Sequence, residues 1–139
     1  MKLYPKTTVE QLNARPVLSL VNTLGIEFTE VTEHYVSAKM PVDYRTHQPM
    51  GILHGGASVA LAETLGSIGG WLALASEDQY CVGLEINANH VKSVKEGFVY
   101  GRATPLHIGR NTQLWEIKIT NEEGKLVCIS RLTLAVLSK

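Results

Sequence analysis

Residues 55–76 run Gly55-Gly56-Ala57-Ser58-Val59-Ala60-Leu61-Ala62-Glu63-Thr64-Leu65-Gly66-Ser67-Ile68-Gly69-Gly70-Trp71-Leu72-Ala73-Leu74-Ala75-Ser76. These 22 residues carry a single charge, the carboxylate of Glu63. Their length would allow a membrane crossing. Five glycines, no flanking Lys or Arg and a carboxylate near the centre argue against one. A helix that is apolar around most of its circumference can instead be buried inside a soluble core, and the stretch reads as a central helix. At about 100° per residue, Leu61, Leu65, Ile68 and Leu72 fall within about 40° of the direction opposite Glu63. That stripe is expected to dock on a sheet. On the Glu63 side lie Gly56, Ala60, Gly66, Ser67 and Gly70, all small. A lone carboxylate on a small face leaves space for a substrate or for the helix of a second subunit.

Working outward, residues 7–15 read as a short helix, with Thr8 and Gln11 spaced for a capping box and Pro16 ending it. Extended segments are expected over 25–31 and 35–41; the second sets Tyr35, Ser37 and Lys39 against Val36, Ala38 and Met40. A polar loop, 42–49, leads into the glycine-rich helix start. Segments 81–94, 98–104, 112–120 and 126–137 are rich in β-branched and aromatic residues, and a turn over 121–125 joins the last two. The order α-β-β-α-β-β-β-β, with strands so consecutive, favours an antiparallel sheet. The expected fold is α+β, a curved antiparallel sheet wrapped around one long central helix.

A chain of 139 residues and 15.2 kDa reads as one domain over residues 1–139. Thirteen basic residues cancel thirteen acidic ones, so the basic excess that displaces counterions from nucleic acid is absent and no nucleic-acid partner is expected. Zero net charge favours association, which points to an oligomer. Cys81 and Cys128 sit in apolar runs without metal-ligand spacing and read as buried, reduced thiols. The opening residues 1–8 have no apolar signal core, so a cytoplasmic protein without a membrane partner is expected. The five histidines show no paired spacing with acid or cysteine, and no metal is expected. His34 and His47 read as solvated surface.

His54-Gly55-Gly56 opens the long helix. Free N–H groups at a helix start, unobstructed by side chains, can bind an anion or a developing oxyanion. With a helix-borne carboxylate, this suggests acyl transfer: the N–H groups polarise a carbonyl while the carboxylate attacks it or activates water.

The stretch Gln48-Pro49-Met50-Gly51-Ile52-Leu53-His54-Gly55-Gly56-Ala57-Ser58-Val59-Ala60-Leu61-Ala62-Glu63 resembles the signature of hotdog-fold acyl-CoA thioesterases, in the branch whose carboxylate is a Glu on the central helix. The likeness extends to Met40-Pro41-Val42-Asp43, to Val82-Gly83-Leu84-Glu85-Ile86-Asn87-Ala88-Asn89-His90 and to Arg131-Leu132-Thr133. Within that branch the chain is most similar to hydrolases of 1,4-dihydroxy-2-naphthoyl-CoA in menaquinone biosynthesis and to the proofreading thioesterases of enterobactin synthesis. Met50 stands where an aromatic residue is frequent, which bears on the acyl pocket.

The resemblance implies hydrolysis of an acyl-CoA thioester, with an aromatic acyl group. Glu63 is implied as nucleophile or general base and Gly55 N–H as holder of the thioester oxygen. Gln48 and His54 position the thioester or the water, Ser67 orients Glu63 or water, and Thr64 contacts the acyl ring. His90, Lys92 and Ser93 compare with the family's nucleotide-binding stretch, as do His107, Gly109 and Arg110; their groups suit phosphates. No cofactor is implied, coenzyme A being part of the substrate. A carrier protein could replace coenzyme A as the thiol carrier. The fold also serves as a non-catalytic acyl-CoA-binding module, which Gln48, His54 and Glu63 together disfavour.

Gly55 and Glu63 are eight residues apart on one helix, or about 12 Å. The reacting carbon must sit within about 3.5 Å of the attacking group and its oxygen about 3 Å from the N–H donor. A dimer in which Gly55, Gln48 and His54 of one subunit face Glu63 and Ser67 of the other resolves the gap. The resemblance adds that such dimers pair into homotetramers.

Overall fold

The computed structural model describes residues 2–4 and 6–139; Met1 and Pro5, in the opening stretch 1–8 expected to lack a signal core, lie outside the described residues. Helix α1 (Val9–Asn13) starts at Thr8, whose hydroxyl accepts from Gln11 N–H while the Gln11 side-chain oxygen accepts from Thr8 N–H. The capping box is present, on a helix shorter than the expected 7–15. A single further turn, α2 (Leu20–Thr23), was not foreseen; Ser19 N–H donates to Asn22 Oδ1 at its start. The strands are β1 (Glu27–Val31), β2 (Val36–Pro41), β3 (Gln79–His90), β4 (Phe98–Ile108), β5 (Thr112–Thr120) and β6 (Leu126–Ser138), and the long helix α3 (Gly55–Leu72) falls between β2 and β3. They form one antiparallel sheet in the order β1-β2-β4-β5-β6-β3. The sheet wraps α3, the arrangement expected from the sequence.

Strand β4 outruns its expected end because a bulge between Pro105 and His107 absorbs the proline that would otherwise break the ladder. Helix α3 stops four residues short of Ser76, where Ala73 N–H turns back to the carbonyls of Gly69 and Gly70. Lys6 Nζ donates to the carbonyls of Trp71 and Leu74, placing a cation at the negative end of the helix dipole. No helix among the described residues is long and apolar enough to cross a membrane.

Leu61, Leu65 and Leu72 are fully buried against Met40, Trp115, Ile117, Leu132 and Leu134, as the apolar stripe required. Ile68 is only partly buried. The opposite side corrects the expectation. Gly66, Gly69 and Gly70 are buried: a Cβ on Gly66 would lie 2.5 Å from Leu132 Cδ2 and one on Gly69 2.6 Å from Trp115 Cζ3, while Leu134 fills the place of one on Gly70. Gly66 and Gly70 therefore let β5 and β6 press close, because the sheet curls past the leucine stripe. Glu63 stands at the border of the wrapped side, not at the centre of a free one.

Gln113, 1% exposed, donates from Nε2 to Gly70 O (3.2 Å) and accepts Trp115 Nε1–H (2.8 Å), tying the end of α3 to β5. Burial raises the thiols of Cys81 and Cys128 above their ordinary range.

The two sheet edges differ. At β1, the Asn13 carboxamide donates to Phe28 O (2.9 Å) and accepts Phe28 N–H (2.8 Å), imitating a neighbouring strand beside a bulge. At β3, the outer edge of a twelve-residue strand pairs with nothing among the described residues, and Tyr80, Val82 and Leu84 are exposed along it.

Candidate active site

The segment between β2 and α3 is held at several points. Thr46 Oγ1 donates to Pro41 O (2.7 Å), His54 N–H to Thr46 O (2.8 Å) and Leu53 N–H to Val94 O (2.8 Å). His47, expected to be solvated, is half-buried and its Nε2 bonds Lys95 O at 2.8 Å; His34 is exposed. Arg45 pairs with Asp43 at 2.7 Å and holds that carboxyl below its ordinary range. Gln48 opens a turn in which its N–H donates to Ile52 O and its carbonyl accepts Gly51 N–H. Gly51 takes a left-handed φ of 76°, which favours glycine. The Gln48 Oε1 accepts Met50 N–H, leaving the Nε2 amide to donate elsewhere.

His54 is the N-cap of α3. Its Nδ1 accepts Gly56 N–H at 2.7 Å, which places the proton of the neutral ring on Nε2. The next donor is free: Gly55 N–H has no acceptor among the described residues. The His90 ring lies on the Cα side of Gly55, since a Cβ there would fall 2.9 Å from His90 Nε2. Around this helix start runs a cleft of about 330 Å³ lined by Gly55, Ser58, His90, Lys92 and Ser93, with Ile52, Leu53, Val91 and Val127. The expected grouping of His90, Lys92 and Ser93 is thus seen, beside the helix N-terminus. Ser58, 1% exposed, was missed, because nothing in helical phase distinguishes a serine facing a cleft from one facing the core.

Two turns along α3 lies a more open cleft of about 450 Å³, lined by Leu20, Gly56, Val59, Ala60, Glu63, Thr64 and Ser67. Leu20 comes from the unforeseen α2. Thr64 Oγ1 donates to Ala60 O (2.6 Å). Glu63 is half-buried and, among the described residues, its carboxylate makes no hydrogen bond or ion pair within the chain. Its Oε1 lies 2.7 Å from where a Cβ on Gly83 would be, beside the irregular register between Gly83 and Glu85 of β3.

Not all expected site residues meet. Gln48, His54 and Gly55 share one end of α3, and Glu63, Thr64 and Ser67 lie about 12 to 18 Å further along it. His107 lies at the end of β4 and Gly109 and Arg110 in the turn to β5, where Gly109 N–H donates to Thr112 O (2.9 Å). This turn adjoins Gln113, which reaches Gly70 near the C-terminal end of α3, about 22 Å along the axis from Gly55. Within one chain those three residues stand apart from His90, Lys92 and Ser93. Among the described residues, no group of three or more His, Cys, Asp or Glu side chains could hold a metal ion.

The sequence pattern described as the Thioesterase superfamily matches residues 50–128, which contain all of α3. The 1,4-dihydroxy-2-naphthoyl-CoA hydrolase of Escherichia coli K12 is 52% identical over 132 residues, covering 95% of this chain and 96% of that protein. The proofreading thioesterase EntH of Cronobacter turicensis is 53% identical over 130 residues, 94% of either chain. The crystal structure of a Haemophilus influenzae thioesterase matches with a TM-score of 0.94 at 52% identity, over 99% of this chain and 96% of that one. Sharing sequence and fold with these enzymes over nearly its whole length, the chain belongs to the thioesterase superfamily and is a hotdog-fold thioesterase.

Proposed function

We propose that this thioesterase hydrolyses aromatic acyl-CoA thioesters, 1,4-dihydroxy-2-naphthoyl-CoA or a close analogue, to the free acid and coenzyme A. The observation that carries the reading is the Glu63 carboxylate, half-buried on a cleft and engaged by no donor among the described residues. A carboxylate kept in that state is available to a reacting group. The thioester oxygen takes Gly55 N–H, at the positive end of the α3 dipole, as negative charge develops on it. Glu63 attacks the carbonyl carbon or draws the proton from an attacking water. The C–S bond then breaks, the thiolate leaves as coenzyme A thiol after protonation, and water supplies the acid's second oxygen. The Gln48 amide and His54 Nε2–H donate to the thioester or water, Ser67, which makes no hydrogen bond to Glu63, orients the water, and Thr64 meets the acyl ring. His90, Lys92 and Ser93 receive phosphates of coenzyme A.

The site is completed by two subunits meeting along β3. One gives Gln48, His54 and Gly55, the other Glu63 and Ser67; His107, Gly109 and Arg110 reach the nucleotide only from a second copy. The open β3 edge and its exposed apolar side chains support this arrangement. Such dimers pair into a homotetramer, and the setting we propose is menaquinone biosynthesis in the cytoplasm. The likeness to EntH favours a second reading, in which the aryl group arrives on a carrier protein. A panel of aromatic and aliphatic acyl-CoA esters and carrier-bound aryl thioesters, followed by thiol release, separates the two. Aromatic coenzyme A esters are expected to turn over fastest. No release from any of them would reject the reading.

A further inference from the structure

Gly83 is the residue of β3 that faces Glu63, and its backbone does not call for glycine. It is absent from the glycines of positive φ, which are Gly25, Gly51, Gly97 and Gly124, and it lies inside a strand, where glycine is weaker than alanine. Its surroundings supply another reason for the missing side chain. A Cβ there would lie 2.7 Å from Glu63 Oε1, below the 3.4 Å at which ordinary contact begins. The remaining neighbours, Glu63 Cδ at 3.8 Å and Leu132 Cδ1 at 3.9 Å, would accept it without moving. A methyl group at position 83 therefore displaces one thing, the carboxylate. No hydrogen bond among the described residues holds that carboxylate in place, so the wall of β3 decides where it rests. Beside the wall the pairing with β6 slips between Gly83 and Glu85, leaving Leu84 out of register.

We propose that Gly83 is a positioning residue: the gap it leaves in β3 is the seat that aims the Glu63 carboxylate at the thioester. The inference rests on Glu63 being the catalytic carboxylate. Strand stability is given up here so that an oxygen can stand where a methyl group would fit.

The test is Gly83→Ala in the full chain, assayed with whichever coenzyme A ester the wild type cleaves best. Glu63 must retreat by about 0.7 Å to restore ordinary contact, and a misplacement of this order costs roughly 10- to 100-fold in rate. The expected result is that loss in kcat, with KM within about twofold because the coenzyme A cleft is untouched. The melting temperature should be unchanged or higher and the molecular mass by light scattering unchanged. A double-mutant cycle supplies the second measurement. Glu63→Asp withdraws the carboxylate by one methylene, so it should cost kcat less in the Gly83→Ala background than alone. Wild-type kcat in Gly83→Ala, additive losses in the cycle, or a variant that unfolds or changes mass would each overturn the proposal, the last because glycine would then serve the fold. Glu63→Ala keeps the two claims apart: if it retains activity, the catalytic reading fails, and if it is dead while Gly83→Ala is normal, only the seat fails.

Discussion

Glu63 can be removed with little structural consequence, since its carboxylate has no partner among the described residues. Glu63→Ala is expected to lower kcat at least ~10²-fold while leaving the melting temperature near that of the wild type. A folded variant with near-normal kcat would contradict the assigned role. His54 does two separable things: Nδ1 caps the Gly56 N–H, and Nε2–H remains to donate. Asparagine is a good N-cap but cannot place a second donor where Nε2 stands. His54→Asn should therefore keep its urea midpoint and lose roughly 10²-fold in kcat, whereas His54→Ala should also lose about 1 kcal/mol of stability. Equal activity in His54→Asn and wild type would leave capping as its whole role. Glu63 was legible because a single charge in an apolar run stands out in any sequence. Gly83 was not, since its reason is a side chain twenty positions earlier on another element.

Helix α3 meets the sheet through glycine as well as leucine. Gly69→Ala gains about 1 kcal/mol in helix propensity but pushes a methyl to 2.6 Å from the buried Trp115 ring, overpacking that costs about 1–3 kcal/mol. A lower urea midpoint is expected, and a higher one would contradict the packing described. Element boundaries were read well where local chemistry sets them. Strand β5 matches its expected limits, and the following turn carries Gly124 at φ 77° with Asn121 Oδ1 accepting the N–H groups of Glu123 and Lys125. The orientation of α3 was read less well. Periodicity shows which residues share a side, and the leucines pointed correctly to the sheet. It does not show how far the sheet curls, and glycines contribute no hydrophobic signal, so periodicity alone puts Gly66 and Gly70 on the open side. Helix α2 has four residues, too few for any period to register, and with it Leu20 escaped notice.

At the scale of the whole molecule, the proposed site requires two copies. Co-refolding Glu63→Ala chains with Gln48→Ala/His54→Ala chains should give mixed dimers in which one site holds every lesion and the other none, restoring up to about half of the sites. Verified mixed dimers without recovered activity would count against a shared site. Lys92→Ala and Arg110→Ala should mainly raise KM for coenzyme A esters and flatten its dependence on salt, because phosphate attraction is screened within about 8–10 Å. Arg110 is the stricter case: its turn lies at the far end of α3 from Lys92 within one chain, so an effect on KM requires the partner's turn to close over the nucleotide. Composition could suggest association, but which strand is left at the open edge was not legible, since strand order is a long-range property and β3 reaches the sheet border by pairing with β6.

Seen as a monomer unit for polymerisation, such a chain has a valence of one. Fibrous growth of stacked strands requires each unit to offer two live ends, one to receive a neighbour and one to receive the next. The carboxamide of Asn13 occupies the Phe28 end like a strand that goes no further. An addition across β3 consumes the other end of both units at once. Growth by sheet extension then terminates after a single step, and the length of the product is capped by one side chain.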